Sequence, residues 1–407
     1  MSTSGRTNRV PALARLIVVV VLGAWLLWQI FTVSFAAVAA RSTDPRLLTV
    51  FGTPQHPQAG AALAQARLVG KDHQAARQLA HAVIMADPTN DRALRVLGLA
   101  TEAGGDRRQA LAIMQQAGRL GWRDTPTQQW LLQRAILTDD FTGVVEHADA
   151  LARRNRGGEM VRGLFLAAVA EPRLRGALAD RLAQQPMWRG AFFADVRQRL
   201  PEALAEPMAG LFKDLQDRRS VIAPTEWMSY IDRLAELGQF ARARRTWATA
   251  FGVSTQQLAG VPYDPAFRAA SARAADAPTS QFEWSLNANL EGTVTFGDDE
   301  GRPGLTIPTG VSGGAALASQ TIMLSPGTHE LTARIDGSPE TAAAGWTLTC
   351  LPAQVALPRR LKRGSNDELS SVIFEVPSAN CTAQRLALVA RDQFDAQPAT
   401  VRSVTIR

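Results

Sequence analysis

Few side chains in this 407-residue sequence have the type and spacing that chemistry requires. Gly310-Val311-Ser312-Gly313-Gly314 satisfies G-x-S-x-G, in which a serine on a sharp turn attacks a carbonyl. That chemistry needs a strand before the turn and a helix directly after it. Here "AALASQ" is too short a helical lead before the next strand-like run, so Ser312 reads as a loop residue. Glycoside hydrolysis needs two facing carboxylates; Glu283, Glu291 and Glu375 lie in strand-like runs that sequence does not pair. His56, His73, His81, His147 and His329 lack the H-E-x-x-H spacing of a metal site. Asp298, Asp299, Glu300, Asn366 and Asp367 would suit a glycan hydroxyl or a hard cation, and equally a solvated turn. No phosphate-binding glycine loop or dinucleotide fingerprint is present. The expectation is a non-enzyme with no catalytic residue, no metal and no cofactor. Two cysteines remain, Cys350 and Cys381, 31 residues apart and not in a C-x-x-C pair. Their role depends on the compartment they occupy.

The N-terminus addresses that question. Leu16 to Ala40 contains no charged residue and, at ~1.5 Å per residue, is long enough to cross a hydrocarbon core of about 30 Å. Arg6, Arg9 and Arg15 precede it with no acidic residue, so the positive-inside bias leaves the N-terminus cytoplasmic and sends the following chain across the membrane. Ala37-Val38-Ala39 also fits a signal-peptidase site, although the apolar run is longer than such signals usually are. Anchor and cleaved signal both stay open, and both put residues 41–407 outside the cytoplasm. Thiols there can pair, and a bond closing a 31-residue loop would contribute roughly 3–4 kcal/mol by chain entropy. The alternative is two separately buried thiols.

The net charge of +7 invites a nucleic-acid reading. Yet 41 of the 44 basic residues are Arg, a bias that GC-rich coding produces together with abundant Ala, and an extracytoplasmic chain does not meet chromosomal DNA. Nucleic acid is therefore excluded as a partner. The positive excess lies in residues 1–279, with candidates for a basic face at Arg107, Arg108, Arg153, Arg154, Arg156, Arg242, Arg244 and Arg245. Such a face would attract an acidic protein or an anionic glycan, or be only a solvated helix surface.

Residues 60–255 are rich in Ala, Leu, Arg and Gln, a composition that favours helices. Gly70, Gly105 and Asp140 recur every 35 residues, with Ala75, Ala110 and Val145 each five further on. Leu97-Gly98 supplies a small residue to a first helix, and Trp227, Gly238, Ala243 and Trp247 mark a later unit. This region resembles a tetratricopeptide-repeat array, with a degenerate stretch from about 157 to 220. The resemblance implies stacked helical hairpins that bind a protein segment or hold a complex together.

From Gln281 the texture changes to short alternating runs between Gly/Pro turns, about nine candidate strands, which indicates an antiparallel sandwich or barrel. "FEWSL", "QTIMLSPGTHELTARI", "GWTLTC" and "FEVPSANCTAQRLALVA" resemble the C-terminal domain of membrane-anchored repeat proteins associated with bacterial exopolysaccharide biosynthesis, a jelly-roll similar to carbohydrate-binding modules. Phe282, Trp284, Trp346 and Phe374 are expected in its core, leaving Phe296 and Phe394 as the aromatics that a sugar could meet.

The expected organisation is a cytoplasmic N-terminus (1–15), a transmembrane anchor (16–40), a linker (41–58), a tetratricopeptide-like helical domain (59–258), a second linker (259–280) and an all-β jelly-roll-like sandwich (281–407). The resemblance implies a single-pass inner-membrane scaffold with its bulk in the periplasm, whose partners are envelope or polysaccharide-assembly proteins. The alternatives are a glycan-binding sandwich displayed on a helical stalk and, third, a polysaccharide hydrolase.

Overall fold

The computed structural model describes residues 12–41, 48–50, 56–274, 277–290, 294–297, 300–307, 309–339, 342–361, 369–392 and 397–407. An N-terminal apolar helix is followed by a long helical region and then by two antiparallel sheets. Two compact units result: residues 1–164 with 172–181, and residues 165–171 with 182–407.

Helix α1 (Ala12–Arg41) exposes Ile17, Val21, Trp25 and Trp28, while Ala36 and Ala39 near its end are buried. That end packs against α2 (Pro57–Val69), a helix whose Ala59, Ala61, Ala62 and Ala64 are all buried. Small side chains let the two backbones approach, and Arg92 Nη1 closes the junction by donating to the Ala40 carbonyl at 3.2 Å. Within the segment expected as a first linker, Leu48 is buried against Ala62 and Leu63.

The helices that follow alternate as hairpins: α2 with α3 (His73–Ala86), α4 (Asp91–Ala103) with α5 (Arg107–Leu120), α6 (Thr125–Leu137) with α7 (Phe141–Ala152), and α8 (Gly158–Ala168) with α9 (Pro172–Ala183). Next come α10 (Arg189–Arg199) with α11 (Ala205–Asp217) and α12 (Pro224–Glu236) with α13 (Phe240–Ala250). Successive first helices begin 31 to 35 residues apart. The stretch 157–220, which sequence alone reads as degenerate, is therefore hairpins at nearly the same period.

The turn inside each hairpin explains the spacing. In Gly70-Lys71-Asp72, Gly104-Gly105-Asp106 and Thr138-Asp139-Asp140 the middle residue is left-handed (φ +64°, +93° and +53°). Each third residue caps the next helix, its carboxylate accepting from the amide three residues on. Gly238 (φ +76°) fills the middle position between α12 and α13. The structural equivalents are thus Lys71, Gly105 and Asp139, 34 apart; Gly70 sits one place earlier in its turn, at φ −71°.

The sandwich comprises β1 (Ser285–Leu286), β2 (Leu305–Ile307), β3 (Ala316–Ile322), β4 (Gly327–Asp336), β5 (Ala344–Pro352), β6 (Val355–Ala356), β7 (Arg359–Leu361), β8 (Ser371–Val376), β9 (Cys381–Ala390) and β10 (Ala399–Ile406). One sheet has the order β1-β3-β9-β5-β6 and the other β2-β10-β4-β8-β7, so the chain crosses repeatedly between sheets. Alternation fills the space between them: Trp346 and Leu348 of β5, Leu386 and Leu388 of β9, Val372 and Phe374 of β8 share one core. In β10 the inward Val401 and Val404 are three apart, and a register shift between Val401 and Ser403 restores their common face. Arg402 at that bulge donates to Asp336 Oδ2 (2.6 Å) and the Pro303 carbonyl (3.0 Å).

The segment expected as a second linker, 259–280, belongs to this core. Phe267 and Ala270, on the short helix Arg268–Ala272 and its N-cap, are buried in the sandwich cluster. The amides of Val404 and Ile406 donate to the carbonyls of Pro265 and Val261, both at 2.9 Å. Trp247 of α13 packs on Tyr263 and Phe282 (ring centroids 5.0 and 5.7 Å), so the last hairpin and the sandwich share one apolar seam.

Candidate functional site

The helical hairpins of the first unit hold a cleft of about 540 Å³. Its walls come from α5, α7 and Arg181 of α9, and its floor from α6. Gly118 of α5 allows the approach that forms the floor: a Cβ there would lie 2.7 Å from Leu131 Cδ1 of α6. Gln128, also on α6, is held by its own bonds. Its amide nitrogen donates to the Gly118 carbonyl (3.3 Å), which leaves Oε1 to accept from His147 Nδ1 at 2.8 Å. His147 is thereby fixed in the tautomer with its proton on Nδ1 and a lone pair on Nε2. Burial pushes its pKa below the ordinary histidine value, opposed by Glu146 and Asp140, so the neutral ring prevails at neutral pH.

Charge in the cleft is partly self-compensated. Buried Asp149 accepts from Arg153 Nε at 2.9 Å through both carboxylate oxygens and lies 3.6 Å from Arg181 Nη1. Arg119 is exposed and has no ion pair among the described residues. Beside it Trp122 keeps 45% of its surface exposed, with the Arg123 guanidinium 4.9 Å from its ring. Arg154 reaches the Arg123 carbonyl.

The second unit has a cleft of about 590 Å³ where α12 meets the sandwich near Pro352 and Arg385. Asp232 there is paired with Arg197 (3.5 Å) and with Gln281 Nε2 (3.5 Å). Burial raises its pKa against the pull of Arg197. Its lining includes no aromatic ring except Phe240, which is itself buried.

The repeat-motif residues are structural. Ala110 and Ala243 are buried, and Ala75 donates its amide to Asp72 Oδ1 at 3.1 Å. Leu97 packs on the Val96–Ala100 cluster, and a Cβ on Gly98 would lie 2.7 Å from Met114 Sδ across the α4–α5 crossing. Trp227 stacks on Phe212 at 4.2 Å, and Trp247 lies in the seam with the sandwich. Of the basic-face candidates, Arg107, Arg108, Arg153, Arg154 and Arg156 fall in the first unit. Arg242, Arg244 and Arg245 fall in the second, where Arg242 pairs with Glu206 and Arg244 donates to the Leu258 carbonyl at 3.0 Å.

Cys350 and Cys381 form the disulfide, tying the end of β5 to the start of β9. Ser312 lies in a turn that runs straight into strand β3, so the helix that a nucleophile elbow requires is not there. Glu283 is tied to Arg273 (3.1 Å) and Glu375 to Arg360 (2.9 Å). Phe282, Trp284, Trp346 and Phe374 are buried, and Phe296 packs against Phe267. Asp298, Asp299, Glu291, Asn366, Asp367 and Phe394 lie outside the described residues, as do Arg6 and Arg9 and the Arg15 side chain. Among the described residues no three His, Cys, Asp or Glu side chains converge as a metal site.

The cleft residues Trp122, His147 and Arg119 carry no sequence motif. The available signal was a Trp in the short turn between two helices. No protein-family model matches the chain, and no curated protein matches it in sequence.

Proposed function

We propose that the protein is a non-enzymatic envelope scaffold, anchored in the inner membrane by α1, whose helical hairpins hold protein partners of exopolysaccharide or cell-envelope assembly. The observation that carries this reading is the recurrence, at a 34-residue period, of a hairpin with a left-handed turn residue and an Asp cap. Tetratricopeptide-type arrays stack helix–turn–helix units at that period and present extended surfaces to other proteins, which supports the reading. α1 is long and apolar enough to cross a membrane. Ala36 and Ala39 argue for an uncleaved helix, because cutting after Ala39 would strip a buried contact from α2. The disulfide fits an oxidising compartment.

In the alternative, a sandwich that alone grips sugar, Phe282, Trp284, Trp346 and Phe374 are buried, so among the described residues of strands β1–β10 and their loops ring stacking would fall to the part-buried Phe296. Crosslinking in intact membranes, followed by purification of the full chain, is the test. Recovery of membrane-embedded or periplasmic assembly proteins is expected, and repeated recovery of none would remove the scaffold reading. The compartment is checked separately: alkylation of denatured, unreduced protein should leave both cysteines unlabelled.

A further inference from the structure

The first-unit cleft combines features that a helical array does not need for its own packing. Trp122 lies in a turn and keeps 45% of its surface exposed, outside the buried core of the helices. His147 is locked by Gln128 so that Nε2 offers a lone pair. Glu146 and Asp140 add acceptors, while Arg119 and Gln115 add donors. One part-exposed aromatic ring thus lines the same cleft as several donors and acceptors, in a volume within the ~300–1,000 Å³ range of small-molecule sites.

A ligand matching this set must be flat and apolar on one face and carry groups around its rim that both give and take hydrogen bonds. A pyranose ring meets both demands, since each hydroxyl is donor and acceptor at once. The charge balance selects further. Asp149 is neutralised by Arg153 and Arg181; the three Arg and three carboxylates of the lining balance, and the positive excess comes from two adjoining residues, Arg123 beside the Trp122 ring and Arg154 on the Arg123 carbonyl. A peptide dense in carboxylates would satisfy the arginines but set its charges against Glu146 and Asp140. A saccharide spaces one carboxylate per ring and fills the interval with hydroxyls.

We propose that this cleft binds an acidic saccharide unit, with the ring on Trp122, its carboxylate on Arg119, and its hydroxyls on His147 Nε2 and Glu146. The site goes beyond the scaffold reading and stands whether or not the array also holds a protein. It places a glycan contact in the helical region.

The test is calorimetric titration of the full chain in detergent with tetragalacturonate, maltotetraose and poly-glutamate. Tetragalacturonate should bind and alter tryptophan fluorescence; Trp122→Ala should weaken it at least tenfold, and Trp122→Phe should restore most of the loss. Arg119→Gln should abolish the preference for tetragalacturonate over maltotetraose. Trp122 is exposed, so the variants should retain wild-type circular dichroism and melting temperature. Absence of oligosaccharide binding by the wild type, indifference to Trp122→Ala, or equal competition by poly-glutamate would each overturn the proposal. Loss of protein partners with saccharide binding intact would bear on the scaffold alone.

Discussion

At the scale of single residues, the middle position of the hairpin turn is where sequence and backbone meet most sharply. Gly105 adopts φ +93° with open space around its missing Cβ, whereas Lys71 holds the equivalent geometry at φ +64° with a side chain. A left-handed L-residue costs roughly 1–2 kcal/mol, so Gly105→Ala should lower stability by about 1 kcal/mol. Lys71→Gly should raise it by a comparable amount, because the freedom of the unfolded chain offsets ~0.4–1 kcal/mol of the strain in both variants. Denaturant titration of both variants measures the pair. His147 gives a pH signature. Its folded pKa is depressed by burial, so the unfolded chain takes up the proton first as pH falls. Stability contributed by the neutral ring is therefore present above the unfolded value near 6.5 and is lost progressively below it. His147→Gln should flatten that part of the stability profile, and an unchanged slope would show that the ring is not desolvated in solution. A recurring spacing was legible in the sequence, but counting Gly70 with Gly105 and Asp140 set the period one residue too long, because a Lys in a left-handed turn gives no signal.

At the scale of elements, helix type and order follow from composition, while the hairpins between 157 and 220 were hidden because their turns lack the Gly-Asp signature. A buried ion pair ties one of them, α10 with α11, to the hairpin that follows. Arg189 of α10 binds Glu226 of α12 through Nε and Nη2 at 2.6 and 2.7 Å and also donates to the carbonyls of Leu182 and Val221. Glu226 in turn accepts from the Ala223 amide at 2.9 Å, so one carboxylate joins two hairpins and starts a helix. Removing one partner of such a pair leaves a buried charge and costs roughly 3–5 kcal/mol. Glu226→Ala should therefore unfold at markedly lower denaturant than Glu226→Asp, with melting of the second unit as the readout. In the sheets, "AALASQ" illustrates what local reading misses. An Ala-rich run favours helix by propensity, yet β3 is fixed by pairing with β9 and β1 on either side. Conversely "GTVTF" reads as a strand, but its described residues offer only an isolated bridge at Val294. The short strands β6 and β7, bearing exposed Val355 and Leu361, exist because β5 and β8 have edges to pair with.

For the molecule as a whole, the order of apolar helix, helical hairpins and sandwich was readable from hydropathy and periodicity, because each class has its own period. The joins were not readable. Residues 259–280 look like a linker by their Pro and Ala content, and only the tertiary context turns Phe267 into core. The clefts escaped for a similar reason: each gathers side chains from several helices or strands, and no single stretch records them. The disulfide has a mechanical consequence. Cys350 and Cys381 hold their Cα atoms 4.8 Å apart across a loop of sequence separation 31. Stretched between its two ends, an oxidised chain cannot release that loop, whose extended length is roughly 100 Å. Optical-tweezer unfolding should show the contour gained from the sandwich growing by about that much on adding reductant. An equal gain in both states would mean that the bond is not formed in the protein under load.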